Sequence, residues 1–268
     1  MILSDLHVHS TYCDGKSTIQ ETMEKAVSMG MKSLGFSGHG YTEFDTSYCM
    51  SLEGTKNYIE DIKSLKGKYD LEIYLGLEKD IYGTNSHEGF DYMIGSCHYV
   101  KKDGVYYAVD HTEEIFVKTV NEVFEEDYLR YCSNYYKGLA ERLPHSQADI
   151  LGHFDLVCKF NSGNKYFDED DKAYRNMALE ALSVAKDVCP LVEMNTGAIS
   201  RGYRNTPYPG KFILDYILEH NMQIILNSDC HHKDNLCFKY DLCIEILKNA
   251  GFKNIVALIG GKFQEVGI

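Results

Sequence analysis

The chain contains 268 residues, of which 44% are hydrophobic, and its formal net charge at pH 7 is -13. This length and apolar content are sufficient for one large hydrophobic core. The excess of acidic residues argues against a nucleic-acid groove as the main binding surface, because such grooves depend on Lys and Arg. With only 4 prolines, and without a low-complexity tract or an internal repeat, the sequence predicts a single domain over residues 1–268.

The cysteines and the first residues indicate the compartment. Nine cysteines are spread along the chain without CxxC pairs, a pattern that favours reduced thiols over disulfides or a zinc ribbon. The sequence opens on a strand-like segment without a leader-length apolar stretch, and no segment approaches the length of a membrane span. We therefore expect a cytoplasmic protein that has no membrane partner.

Six short strand-like segments, taken in chain order, each end in a residue that can bind a metal ion. They are residues 3–10, with His7 and His9; 34–39, with His39; 73–78, with Glu78; 93–98, with His98; 150–153, with His153; and 224–231, with Asp229 and His231. In the first segment, the period-two alternation of a strand points His7 and His9 to the same face. A lone strand histidine is more often an ordinary residue than a ligand, but this repeated placement indicates a shared site.

Segments with helical spacing lie between the strand-like segments, roughly at 18–30, 52–68, 113–143, 171–187, 211–221 and 236–250. Ser17, with Gln20 three residues later, predicts a capping box at the start of the first helix. The alternation of strands and helices implies parallel strands joined by right-handed crossovers. A run at 191–195 adds a seventh strand. The sequence thus predicts an α/β barrel whose functional side chains gather at the C-terminal ends of the strands.

The side chains at these strand ends suit zinc, manganese or iron, and so many imidazoles and carboxylates together indicate more than one ion. Glu78 is the candidate for a bridging carboxylate, since the strands before and after it end in histidines. Asp14 precedes Gly15, and a metal ligand and a turn aspartate fit this position equally well. Asp5 shares the face of the first two histidines and is a candidate for orienting one of them.

Four motifs in this order resemble those of the polymerase-and-histidinol-phosphatase (PHP) family. The motifs are Asp5-Leu6-His7-Val8-His9-Ser10, Gly38-His39, Gly95-Ser96-Cys97-His98 and Ser228-Asp229-Cys230-His231. The resemblance covers nearly the whole chain, and the ordered set is more specific than any single motif. It implies a distorted seven-stranded (β/α)7 barrel, similar to a TIM barrel, with three divalent metal ions at the C-terminal ends of the strands.

The resemblance also implies which residues bind the metal ions. By position these are His7, His9, Asp14, His39, Glu78, His98, His153, Asp229 and His231. Several members of the family have a histidine where Asp14 stands, which leaves the turn interpretation of Asp14 open. The candidate catalytic residues are Glu78, as the bridge, and Asp229 and His231. His231, Asp229 or a metal-bound water could protonate the leaving oxygen, and no feature of the sequence decides between them.

The activity that the resemblance implies is hydrolysis of a phosphate monoester. Stand-alone members of this length resemble histidinol-phosphate phosphatase, which converts L-histidinol phosphate to L-histidinol and phosphate in histidine biosynthesis. Arg201 and Arg204 lie in a loop with two prolines and are expected to bind phosphate oxygens, for which the forked guanidinium is suited; solvated loop charges are the alternative. Tyr41, Glu43 and Asp45 could bind the imidazole and ammonium groups, although a solvated loop is the simpler interpretation.

Three other classes of protein fit parts of the pattern. An amidohydrolase also begins with HxH, but it would need a central lysine or carboxylate and a lone late aspartate, whereas Asp229 is accompanied by His231. A PHP-type exonuclease or another small-molecule phosphoesterase remains an alternative, although the acidic charge favours a small substrate over nucleic acid. A metal-dependent binding module without catalysis would not need every ligand position.

Overall fold

The sheet of this protein is mainly parallel and strongly curled. The computed structural model describes residues 4–268, and Leu3, at the start of the first predicted strand, lies outside them. The strands are β1 (Ser4–Asp5), β2 (Ser33–Phe36), β3 (Glu72–Asp80), β4 (Tyr92–Ser96), β5 (Tyr99–Lys102), β6 (Val105–Ala108), β7 (Ile150–Leu151), β8 (Leu191–Asn195), β9 (Gln223–Asn227), β10 (Asn254–Ile259) and β11 (Lys262–Gly267). One sheet has the order β1-β2-β3-β4-β7-β8-β9-β10-β11, and β5 pairs with β6 in a separate hairpin.

The curl brings the segment after β1 against the segment after β9. Val8 and Cys230 form a parallel bridge. The His9 amide donates to the Cys230 carbonyl at 2.9 Å, and the Cys230 amide donates to the His7 carbonyl at 2.9 Å. The predicted α/β fold with a curled, mainly parallel sheet is therefore confirmed.

The sheet formed by residues 4–268 has nine strands, two more than the sequence predicted. β10 is parallel to β9, and β11 returns antiparallel to β10. Gly260 and Gly261 form the turn between β10 and β11 with φ angles of 60° and 73°, a conformation that glycine adopts without steric cost. Two glycines between strand-like runs are a hairpin signal, which the prediction of seven strands overlooked.

Helices connect most of the parallel strands. They are α1 (Ile19–Ser28), α2 (Leu52–Leu65), α3 (Glu113–Val123), α4 (Tyr128–Arg142), α5 (Lys172–Val188), α6 (Gly197–Ser200), α7 (Lys211–Glu219) and α8 (Tyr240–Ala250). The capping box of α1 lies one residue later than predicted, because Thr18 and Glu21 form it rather than Ser17 and Gln20. Within residues 4–268, no helix combines the length and the apolar character needed to cross a lipid bilayer.

The segment 113–143, predicted as one helix, is divided into α3 and α4. Glu125 and Glu126 have left-handed backbone conformations, with φ angles of 58° and 63°, so helical geometry cannot continue through them. Asp127 then caps α4 by accepting a hydrogen bond from the Arg130 amide at 2.9 Å. The apolar stripe that made the segment look continuous belongs to two helices that share one buried cluster.

The two faces of the sheet bury different clusters. In β9, Ile224 packs in the cluster that includes α4, α5, α7 and α8, whereas Ile225 packs with Leu6 and Tyr92, as the alternation of a strand requires. The Tyr92 ring lies so close to Gly76 in β3 that a Cβ there would be 2.1 Å from Tyr92 Cζ. Glycine at this position therefore makes room for the Tyr92 ring.

Candidate metal centre

Nine imidazole and carboxylate side chains lie together where the parallel strands end. They are His7, His9 and Asp14 after β1, His39 after β2, Glu78 in β3, His98 after β4, His153 after β7, and Asp229 and His231 after β9. They form four overlapping groups in which the nitrogen and oxygen atoms lie within 4.8 Å of one another. Parallel strands end at the same edge of a sheet, so segments far apart in sequence meet there. The structure thus brings together all nine side chains that the sequence singled out.

Glu78 lies at the centre of this cluster, and each of its oxygens faces its own ring nitrogens. Around Oε2 lie His39 Nδ1 at 2.9 Å, His7 Nε2 at 3.2 Å and His9 Nε2 at 3.4 Å. Around Oε1 lie His153 Nε2 at 3.0 Å and His98 Nε2 at 3.3 Å. One carboxylate therefore separates two sets of potential ligands, which is the arrangement that a bridging carboxylate requires.

Two aspartates contact the rings on another side of the cluster. Asp229 Oδ1 lies 3.3 Å from both His9 Nε2 and His231 Nδ1. Asp14 Oδ2 lies 3.2 Å from His231 Nε2, and its Oδ1 lies 3.7 Å from His39 Nε2. Because the Asp14 carboxylate faces imidazoles, its geometry favours the ligand interpretation over that of a turn residue alone.

Four buried polar atoms of the cluster, counting His153 Nδ1, have no partner in hydrogen-bond geometry. Three of them lie together: His7 Nε2, His9 Nε2 and Glu78 Oε2. Such atoms are costly in a protein interior, and these three belong to one group of neighbouring ligand atoms. A divalent cation would satisfy them together, since imidazole and carboxylate are ligands for zinc, manganese and iron. The residues therefore fit a divalent metal ion.

Glu78 and His9 are held in the protonation states that bind metal ions. Burial would raise the pKa of Glu78, but the rings of His7, His39 and His98 hold it well below its usual range. Burial lowers the pKa of His9 to about 3, and the neighbouring rings act in the same direction. Glu78 is therefore a carboxylate and His9 a neutral ring near pH 7, which are the forms that bind metal ions. Burial would lower the pKa of His7, His39 and His98, but the carboxylates around them raise it above its usual value, so a metal ion would displace a proton from these rings.

Two buried carboxylates that the sequence analysis did not single out lie behind the rings. Glu193 Oε1 lies 2.6 Å from His7 Nδ1, and Asp80 Oδ2 lies 3.3 Å from His98 Nδ1. Asp80 follows Glu78 by two residues in β3, so strand alternation could have placed both on one face. Glu193 stands in an apolar strand without a histidine. The feature of the sequence that could have marked it as a site residue is an acidic side chain within an apolar run.

Asp5 supports the main chain of the site. Its carboxylate accepts hydrogen bonds from the amides of Ser228 and Cys237, each at 3.1 Å, and from the Ser228 hydroxyl. It also accepts from the His7 amide at 3.4 Å. Asp5 therefore positions the His7 segment through the backbone, and it holds β1 against the segment that precedes Asp229.

A cavity of about 390 Å³ opens over the cluster. Besides members of the cluster it is lined by charged and aromatic side chains, among them Arg201, Lys159, Asp45, Asp110 and Tyr99. Arg201 Nη2 donates to Asp229 Oδ2 at 2.8 Å, so this arginine lies beside the cluster. Lys159 Nζ donates to the Asp110 carbonyl at 2.6 Å. No pattern in the sequence marks Lys159 as a site residue, because it lies beyond a strand end in a segment of turns.

Contrary to prediction, Arg204 does not line the cavity. Its Nη1 donates to the Cys158 carbonyl at 2.5 Å and to Glu169 Oε1 at 3.0 Å, and its Nη2 donates to Glu169 Oε2 at 3.2 Å. Gly202, with a φ angle of 78°, turns the chain between the two arginines. A buried guanidinium takes a carboxylate partner, so Arg204 stabilises the loop instead of facing a substrate.

Of the three residues considered for the rim, Asp45 lines the cavity, whereas Tyr41 and Glu43 do not. The Tyr99 hydroxyl donates to Asp45 Oδ2 at 2.8 Å, and the Ser47 hydroxyl donates to Oδ1 at 2.6 Å. Burial would raise the pKa of Asp45, but the hydrogen bonds from Ser47 and Tyr99 hold it below its usual value. The cavity thus has an oriented carboxylate on its rim.

Two solved structures share this fold. A candidate histidinol phosphatase from Listeria monocytogenes has a TM-score of 0.76 and 20% sequence identity, and the alignment covers 89% of this chain and 99% of that chain. A histidinol phosphate phosphatase from Lactococcus lactis, solved with zinc, L-histidinol and phosphate, has a TM-score of 0.69 and 19% identity over 98% of each chain. No curated protein sequence matches the chain significantly.

The sequence profile of the PHP domain matches residues 5–197. The matched range contains most of the clustered side chains, and Asp229 and His231 follow it in sequence and join them in space. Extending over more than half of the chain, the match shows that this protein belongs to the PHP domain family.

Proposed function

We propose that the protein is a metal-dependent phosphomonoesterase that converts L-histidinol phosphate to L-histidinol and phosphate. The observation that carries this proposal is the position of two cations, Arg201 and Lys159, in the cavity over nine potential metal ligands. Such a site is suited to an anionic small molecule. The Lactococcus lactis structure with zinc, L-histidinol and phosphate supports the choice of ester. We expect residues 1–268 to act as one domain, in which the seven parallel strands before α8 form the barrel.

We propose that the cluster holds three divalent ions of zinc, manganese or iron. The ligands would be His7, His9, Asp14, His39, Glu78, His98, His153, Asp229 and His231. This set is too large for a single tetrahedral ion, and Glu78 is the proposed bridge because its two oxygens face separate rings. Divalent ions in such a site stabilise charge on phosphoryl oxygens and lower the pKa of water.

Arg201 is the proposed phosphate ligand of the chain. Asp229 accepts from Nη2 through Oδ2 at 2.8 Å and from Nη1 through its carbonyl at 3.2 Å, which fixes the guanidinium plane. Burial would lower the pKa of Arg201, but Asp229 raises it above its usual value, so the charge persists. A guanidinium already held in place binds phosphate oxygens with little further loss of conformational entropy. Lys159, whose Nζ lies 4.7 Å from the centre of the Tyr203 ring, supplies a second charge.

His231 is the proposed group for the proton of the leaving oxygen. Burial would raise the pKa of Asp229, but Arg201 and the neighbouring rings hold it well below its usual range, so the Asp229 carboxylate has no proton to give. His231 Nδ1 lies 2.9 Å from the Asp229 carbonyl, an acceptor, and 2.9 Å from Arg201 Nη1, a donor. The first contact suits a protonated Nδ1 and the second suits a bare Nδ1, so either tautomer of the ring has a partner. Both neutral tautomers of the ring are therefore held in one orientation.

The cationic part of the ester would lie against Asp45, Tyr48 and Tyr99, which line the cavity. A carboxylate and aromatic faces are the groups that bind ammonium and imidazolium cations. The Tyr48 ring is edge-on to His39, with a centroid distance of 4.7 Å. This wall therefore adjoins the metal cluster, within reach of an ester whose phosphate is bound there.

The test compares kcat/KM for L-histidinol phosphate, an aryl phosphate and a short single-stranded oligonucleotide in metal-replete buffer. We expect the first to be hydrolysed fastest by several powers of ten, because a site with oriented polar groups discriminates strongly against substrates that leave them unpaired. Asp45→Asn should lower kcat/KM for L-histidinol phosphate about tenfold and leave the aryl phosphate unaffected.

Glu43→Gln is the matched control, since Glu43 belongs to the same loop and does not line the cavity. Equal kcat/KM values for the two monoesters would exclude selection of histidinol phosphate. Faster release of nucleotides from the oligonucleotide would replace the phosphatase with a nuclease.

A further inference from the structure

We propose that Glu193 is a positioning residue that fixes the tautomer of His7 and thereby sets the affinity of the metal centre. The inference rests on the proposed function only in taking His7 as a metal ligand. Glu193 lies in β8 and is fully buried. It belongs to none of the groups of potential ligand atoms found in residues 4–268, so it would act through its neighbours.

The Glu193 carboxylate is surrounded by groups that can donate hydrogen bonds. At Oε1 these are His7 Nδ1 at 2.6 Å and Asn227 Nδ2 at 2.9 Å. At Oε2 they are the His153 amide and Asn195 Nδ2, each at 2.8 Å. Because every neighbour is a donor, the position accepts an ionised carboxylate and disfavours any group with a hydrogen of its own.

This environment decides which nitrogen of His7 is free. An ionised carboxylate can only accept, so the proton of the neutral His7 ring resides on Nδ1. Nε2 then has a lone pair directed at the cluster, where it lies 3.2 Å from Glu78 Oε2 and 3.7 Å from Asp229 Oδ1. A carboxylate that accepts from the far nitrogen of a ligand imidazole orients the ring and makes it a stronger base.

The same carboxylate links four strands at the edge where the cluster forms. Its partners come from the segments after β1 and β7, from β8 and from β9. Asn227 extends the network, because its Oδ1 accepts from the Leu6 amide at 2.9 Å. Glu193 therefore sets the direction of the His7 ring and the position of the His153 main chain together.

The experiment measures zinc bound per chain and the zinc Kd by chelator competition, for wild type, Glu193→Gln and Glu193→Asp. Glutamine has the same shape as glutamate, but its NH2 group would face hydrogen-bond donors in place of either oxygen. If it faces His7, then Nδ1 must accept a hydrogen bond, and the ring proton moves to Nε2. Aspartate keeps the charge and withdraws it from His7 Nδ1. We expect both variants to bind zinc about 10-fold to 100-fold more weakly than wild type.

The matched control is Glu169→Gln, the same change in an acid that pairs with Arg204 away from the cluster. It should lower the Tm of the zinc-free protein and leave the zinc Kd unchanged. In the Glu193 variants, the rise in Tm on adding zinc should shrink, because weaker binding stabilises the native state less. A merely structural role of Glu193 would lower the Tm with and without zinc equally and leave the Kd unchanged.

Wild-type protein that binds no zinc, manganese or iron would overturn the metal centre, and the inference with it. Wild type that binds zinc, with both variants binding it equally well, would overturn the inference alone. If Glu193→Gln gives no folded protein, Glu193→Asp decides. Failure of both variants to fold would assign Glu193 to folding and overturn the positioning role.

Discussion

Replacing Arg204 should impair folding stability, whereas replacing Arg201 should impair turnover. The two residues are three positions apart in one loop, yet only Arg201 lines the cavity. Arg204 is almost fully buried and makes a two-pronged ion pair with Glu169. Arg204→Ala therefore removes the charge that compensates Glu169 and leaves the Cys158 carbonyl with the Asn161 amide as its remaining donor.

The size of the effect follows from burial. Removing one partner of a buried ion pair costs about 3 to 5 kcal/mol. Water reaches part of the Glu169 side chain, which is 20% exposed, so the low end, about 3 kcal/mol, applies here. In a chain of this size each kcal/mol lowers Tm by about 2 to 4 °C. Arg204→Ala should then lower the Tm by about 6 to 12 °C.

Thermal unfolding and steady-state kinetics on one phosphate ester test this separation. Arg201→Ala is the paired variant and should lower kcat/KM by an amount equivalent to about 1.5 to 3 kcal/mol, the contribution of a charge-assisted hydrogen bond. The double variant Arg204→Ala/Glu169→Ala should lose less stability than the sum of the single variants, because the two residues are in direct contact. An Arg204→Ala protein with wild-type Tm and reduced kcat/KM would refute the reasoning and return Arg204 to the phosphate site.

Two further predictions concern the cluster. Glu78→Gln should lose more than one bound ion per chain or nearly all activity, because an amide is a poor bridging ligand. Elemental analysis measures the bound ions, and kcat measures the activity. Full retention of both would show that Glu78 is not the bridge. At Gly197 an added Cβ would lie 2.5 Å from Asp229 Oδ2 and 2.8 Å from Arg201 Nη2. Gly197→Ala should therefore displace this pair and lower kcat/KM for every phosphate ester, and an unchanged value would exclude the pair from phosphate binding.

The strand ends are the part of the site that the sequence could predict. His39, His98 and His153 each close an apolar run, and strand alternation gives His7 and His9 one face. Parallel topology then places the ends of distant strands at one edge. Both rules act on local patterns, so no knowledge of side-chain packing is needed to predict that these residues meet.

The partners of these rings could not be predicted, because they depend on which distant segments meet. Glu193 contacts His7 across 186 residues, and no local pattern connects them. Arg201 and Arg204 are chemically identical, and only the place of Glu169 in the folded chain separates their roles. Neighbouring residues with similar chemistry produce the same ambiguity on a smaller scale, as with Ser17 and Thr18 at the start of α1.

The junction of β1 and β9 lies at the cluster of potential metal ligands. Asp5 and Ser228, which are 223 residues apart, share a hydrogen bond at the junction of β1 and β9, and ordering such distant segments costs chain entropy. The junction also buries unpartnered ring nitrogens and a carboxylate oxygen, which oppose closure until a cation satisfies them. If the cluster binds a metal ion, part of the free energy of binding would therefore go into joining these two segments. In its proposed role, Glu193 contributes both to joining the segments and to metal binding, because it contacts the His7 segment and β9.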